Sequence, residues 1–158
     1  MYSRQESSLL SQQFWTAFGG YLAPLLSAEG HRINWINYKT GEKDVRFIMT
    51  AGTVSAKISI NLSHKDTLVQ KLYFDKFLEL QSILQRITFE EWNWSLLTTG
   101  QDGKVISEIY ATLNEVTYLN KEDWPAIISF LKPRLIALDK FWCEHKYTFE
   151  GLIHGKSV

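Results

Sequence analysis

The sequence predicts an α+β domain with helices packed on one face of an antiparallel or mixed sheet. Three observations predict it. Apolar residues recur at three- and four-residue spacing in three long segments, as amphipathic helices require. Runs rich in branched and aromatic residues, one of them strictly alternating, lie between those segments. No repeat, low-complexity tract or Pro/Gly-rich linker divides the 158 residues, so the layers share one core. The expected order is α-β-β-β-α-β-β-α in a single domain, 1–158, with residues 1–8 and 150–158 expected to fray.

The first helix is expected over residues 6–22, where Phe14, Trp15, Phe18, Tyr21 and Leu22 make one stripe and Pro24 closes it. Three strands should follow. Residues 33–38 are branched and aromatic, "KTGEKD" turns the chain, 45–50 form the second strand, and 55–62 the third. In 55–62, Ala56, Ile58, Ile60 and Leu62 face one way and Ser55, Lys57, Ser59 and Asn61 the other, which describes a strand with one wet face. Ser63 and Asp66 resemble a capping box for a long helix over 65–86. Trp92, Trp94 and Leu96 share one face of a fourth strand. Residues 105–113 read as a fifth strand, although Glu108 and Ala111 also suit a helix. The last third is helical, with Asn120 or Asp123 as cap and Pro125 in the first turn. A kink or break is expected at Pro133, which has no N–H for the helical ladder.

Seventeen basic residues balance seventeen acidic ones, so no global field draws nucleic acid or anionic lipid. A lone cysteine, Cys143, excludes an internal disulfide. The start has no signal-peptide pattern and no apolar run is long enough to span a bilayer, so a cytoplasmic protein without membrane contact is expected.

The candidate chemistries are few. Lys39-Thr40-Gly41 occurs in penicillin-interacting serine enzymes, but there Ser-x-x-Lys precedes it. Here Ser129-Phe130-Leu131-Lys132 follows it inside a predicted helix, so the triplet reads as a hairpin turn. A helix-β-β-β-helix-β order is also that of restriction-endonuclease-like folds, which hold metal through an Asp and an acid-x-Lys. Asp44 and Lys57 are the candidates for such a site. Ser55 stands where the second acid belongs, so the nuclease would be degenerate. His31, His64, His145 and His154 are scattered, Cys143 has no partner at zinc-finger spacing, and no phosphate-cradling motif occurs, so no metal or cofactor is expected. Arg32, Lys39, Lys43 and Arg46 gather near the first hairpin with Trp35 and Tyr38 between them. Cations for phosphates beside aromatics for bases make a single-strand binding recipe. Trp35 is expected in the core, which leaves Arg32, Tyr38, Lys39, Lys43 and Arg46 as candidate binding residues. In the last helix, Asp139 and Glu144 among the lysines read as a solvated face. The apolar surplus of that helix suits either a central core position or a homodimer interface.

The segments "FWTAFGGYLAPLLSAEGHRINWINYKTG" and "DWPAIISFLKPRLIALDKFW", with "EEWNW" between them, resemble a family of bacterial domains of unknown function. The resemblance runs from Phe14 to Phe149. Domains of that family stand alone or end longer proteins, some of them nuclease-like or restriction-associated. It implies a setting in nucleic-acid processing or defence and supplies no catalytic residues. The expected function is a non-catalytic binding module for protein or nucleic acid, with the degenerate nuclease as the alternative.

Overall fold

A computed structural model describes residues 2–100 and 102–152. The chain folds as an α+β structure around a four-stranded, fully antiparallel sheet in the order β1-β2-β4-β3. Helix α1 (Arg4–Leu22) precedes β1 (Val45–Ala51) and β2 (Ser55–Leu62). Helices α2 (Thr67–Glu79) and α3 (Gln81–Thr88) lead to β3 (Asn93–Thr99) and β4 (Val105–Asn114). A 3₁₀ turn (Lys121–Asp123) opens α4 (Trp124–His145), and α5 (Tyr147–Glu150) follows. Among the described residues, no helix is long and apolar enough to cross a membrane.

The alternation read in β2 is realised on its apolar side, whereas Ser59, expected on a wet face, is buried as well. Ala56, Ile58, Ile60 and Leu62 are fully buried, and α4 and α2 lie over that face of the sheet. Pairing of β2 with β4 sets Ile60 opposite Ile109 and Ile58 opposite Ala111, so β4 is a strand with its apolar side inward. The opposite face carries Arg46, Lys57, Asn61, Glu108 and Thr112. The apolar surplus of α4 goes into the monomer's own core. Ile127, Leu131, Leu135, Leu138 and Phe141 are fully buried, and Ile136 is its exposed large aliphatic.

Several elements depart from the sequence expectation. Residues 33–38 form no strand. Asn34 accepts the Asn37 N–H through Oδ1 (3.3 Å), which turns the chain, and Trp35 enters the core, donating Nε1 to the Leu25 carbonyl (3.1 Å). The aromatic composition there reflects burial of side chains, not a backbone ladder. The long helix expected over 65–86 is two helices. At Leu80 the chain tightens, its N–H bonding Phe77 three residues back, and Asp66 caps α2 in place of the Ser63 box. A bulge between Ser95 and Thr98, with Leu97 at φ 51°, breaks the alternation of β3. Trp94 therefore packs on Phe74 while Leu96 stays exposed. Helix α4 runs unbroken through Pro133. Pro133 and Ser129 are both exposed, so water can satisfy the carbonyl that the proline leaves unpaired. Residues 4–8, expected to fray, are helical because Ser3 and Glu6 form a reciprocal capping box. Residues 153–158, including His154, lie outside the described residues.

Candidate binding pocket

Residues 23–44 form a long irregular segment between α1 and β1, with one isolated bridge, Leu26 to Arg32. A connection of this length without regular structure usually serves function. Here it is pinned to α4 at several points. Asp139, 2% exposed, accepts the Ala28 N–H (2.7 Å) through Oδ2 and the Tyr38 hydroxyl (2.6 Å) through Oδ1. The Cys143 thiol donates to the same Oδ1 at 3.5 Å. The Trp142 indole donates to the Thr40 carbonyl (2.7 Å), and the Lys146 ammonium reaches both Glu29 oxygens at 3.2 Å.

Between segment and helix lies an open cavity of about 370 Å³. Ser27, Ile33, Tyr38, Asp139, Trp142 and Cys143 form its interior, and Glu29, His31, Asn34, Asn37, Lys39 and Lys146 stand around it. The Lys39-Thr40-Gly41 triplet, read as a hairpin turn, is irregular chain with a bend at Gly41: no strand precedes it, so there is no hairpin, and the turn into β1 is closed by the Val45 N–H on the Glu42 carbonyl (3.2 Å). Thr40 Oγ1 donates to the Val45 carbonyl (2.7 Å) and accepts the Glu42 N–H (3.1 Å).

The electrostatics hold the groups in their ordinary neutral or paired forms. Burial, reinforced by Asp139, pushes the Tyr38 hydroxyl far above its usual range. Burial and the same carboxylate push the Cys143 thiol up to about 11, so it stays protonated at neutral pH and is a poor nucleophile. Burial pulls the Lys146 ammonium down, but Glu29 outweighs it and leaves the value raised.

Asp139 was not anticipated. The sequence expectation placed it on a solvated face, and the structure buries it. Its signal is spacing: Leu135, Leu138, Asp139 and Trp142 share one stripe of α4, so a carboxylate on that stripe must find donors in the core.

The structure separates the other candidates. Asp44 sits at φ 63° just before β1, its carbonyl taking the Ser63 N–H at 3.0 Å. Lys57 pairs across the strand with Thr50, six residues beyond Asp44, or about 20 Å of strand. The acid beside Lys57 is Glu108 (2.7 Å), and the ammonium lies over the Tyr110 ring. Asp44 and Lys57 are thus not brought together. Arg32, Lys39, Lys43 and Arg46 are exposed, and none pairs with a carboxylate among the described residues. Tyr38 faces Asp139 inside the pocket and stacks on Phe47. His31 stands at the pocket, His145 lies 3.9 Å from Glu144, and His64 is buried against Tyr73. Among the described residues no three His, Cys, Asp or Glu side chains gather as a metal site.

A family model described as Domain of unknown function (DUF4268) matches residues 10–146. The chain belongs to the DUF4268 family. In this DUF4268 domain both walls of the pocket, residues 27–40 and 139–146, fall inside the matched stretch. No curated protein and no solved structure matches the chain.

Proposed function

We propose that this DUF4268 domain is a non-catalytic binding module whose site is the pocket between residues 23–44 and α4. One observation carries the reading. Asp139 lies in the pocket wall with both oxygens engaged by donors from Ala28, Tyr38 and Cys143, so the titratable groups fix the shape of the site instead of standing ready to react. The protonated Cys143 thiol supports the same reading. The setting we propose is a bacterial nucleic-acid-processing or defence system, which the sequence resemblance implies, in the cytoplasm, which the signal-free start suggests.

Affinity capture from the native cell, with protein, nucleic acid and small molecules all identified, tests the proposal. The bait is run beside an Asn37→Ala/Lys39→Glu variant. A binder enriched on the wild-type chain and lost on the variant is expected. Enrichment that ignores the variant would place binding elsewhere. DNA cleavage in Mg²⁺ that Asp44→Asn abolishes would overturn the non-catalytic reading in favour of a nuclease.

A further inference from the structure

Resting on that reading of the pocket, we infer that its ligand is a nucleotide unit, with the base inside and the phosphate outside against Lys39. The cavity, about 370 Å³, is at the small end of ligand sites, which suits one flat heterocycle with part of its sugar. Its lining includes the apolar side chains of Ile33 and Trp142 and the Cys143 thiol. Two amides stand at the opening. The Asn34 carbonyl oxygen is taken by the Asn37 N–H, which leaves its amino group free, and the Asn37 side chain makes no hydrogen bond among the described residues. A free asparagine amide presents a donor and an acceptor side by side, the pattern that pairs with a base edge.

Charge decides where the phosphate goes. Inside, Asp139 is an anion already bound by three donors, which repels a second anion. At the rim, Glu29 is matched by Lys146, and beyond the pocket Glu42 accepts the Tyr73 hydroxyl. Lys39 at the opening is exposed and pairs with no carboxylate among the described residues; the same holds for Lys43 and for Arg32, whose guanidinium donates to the Ala23 carbonyl (3.4 Å). The anionic end of the ligand is therefore drawn outward along the segment. A strand of linked nucleotides meets this arrangement, as does a free nucleotide, because both present a flat base joined to phosphate.

Fluorescence anisotropy with a labelled single-stranded ten-nucleotide probe, competed by free mononucleotides, tests the inference on the full chain. Saturable binding is expected. Lys39→Glu should weaken it at least about tenfold and lower the salt dependence by about one unit of slope or more. Asn37→Ala should alter base preference while leaving the salt dependence unchanged. Both positions are exposed, and circular dichroism of each variant checks that it is folded. Tight competition by mononucleotides identifies a free-nucleotide site, and weak competition identifies a single strand; either outcome upholds the chemistry. Failure of both probes, or binding indifferent to both substitutions, overturns it. If capture still recovers a protein that the pocket variant loses, the binding-module reading stands and the nucleotide assignment alone falls.

Discussion

Tyr38 and Asp139 meet at 2.6 Å although 101 positions separate them in the chain. The hydroxyl donates and the buried carboxylate accepts, so the irregular segment after α1 is bonded directly to the last long helix. The pair is asymmetric. Tyr38→Phe removes one donor from an acceptor that keeps two others, and should cost about 1 kcal/mol. Asp139→Ala strands the Ala28 N–H, the Tyr38 hydroxyl and the Cys143 thiol together, and should cost about 3 kcal/mol. Urea unfolding of the two variants measures this. Equal losses would mean that Asp139 is no hub.

Cys143 should be slow to alkylate. Its thiol is pushed up to about 11 by burial and by Asp139. The rate with iodoacetamide should still be climbing above the ordinary cysteine range of about 8.5, because only the thiolate attacks. A rate that levels off near that ordinary value would contradict the proximity of Asp139.

His64 should make the fold sensitive to acid. Among the described residues neither ring nitrogen meets a hydrogen-bond partner, and the ring lies 4.3 Å from that of Tyr73. Burial lowers its pKa, against the pull of Asp44, Glu42 and the nearby Lys43 backbone. The unfolded chain therefore takes up the proton first. Stability is full above the unfolded value, about 6.5, and is lost as pH falls through it toward the lower folded value. Urea midpoints should decline over that window in the wild type and decline less in His64→Phe, which keeps the ring stack. Parallel declines would assign the titration to another group.

Phe89→Gly should stabilise the protein. Phe89 ends α3 at φ 62° with its side chain 92% exposed, so it bears left-handed strain with almost no burial in return. Glycine is the usual residue at this helix-end position, and the gain should be about 1 kcal/mol. Thermal melts decide it, and a lower melting temperature would mean that the ring makes contacts that matter.

How much of this was legible depended on whether side-chain pattern and backbone bonding agreed. They agree on the apolar side of β2, where Ala56, Ile58, Ile60 and Leu62 are all buried, and in α4, whose apolar residues fill the core. They disagree in residues 33–38, where Trp35 and Tyr38 are drawn inward by core and carboxylate while Asn34 and Asn37 bend the backbone. Neither proline nor glycine marks the tightening at Leu80, so the stripe runs on through a break that it does not register. Of the candidate site residues, Tyr38 and Lys39 do reach the pocket, whereas Asp44 and Lys57 are parted by strand register, a property of pairing and not of spacing. Asp139 was overlooked because a carboxylate among lysines suggests water, and only its place on the apolar stripe argues otherwise.

The two walls of the pocket come from distant parts of the chain, residues 27–40 and 139–146, and neither encloses anything without the other. During synthesis the segment that carries Lys39 emerges long before the helix that carries Asp139. The pocket therefore does not exist until the final helix docks, which would make the proposed binding a readout of completed folding. A chain cut between the two walls, with α4 free to leave, would lose its site and the main cover of its sheet together.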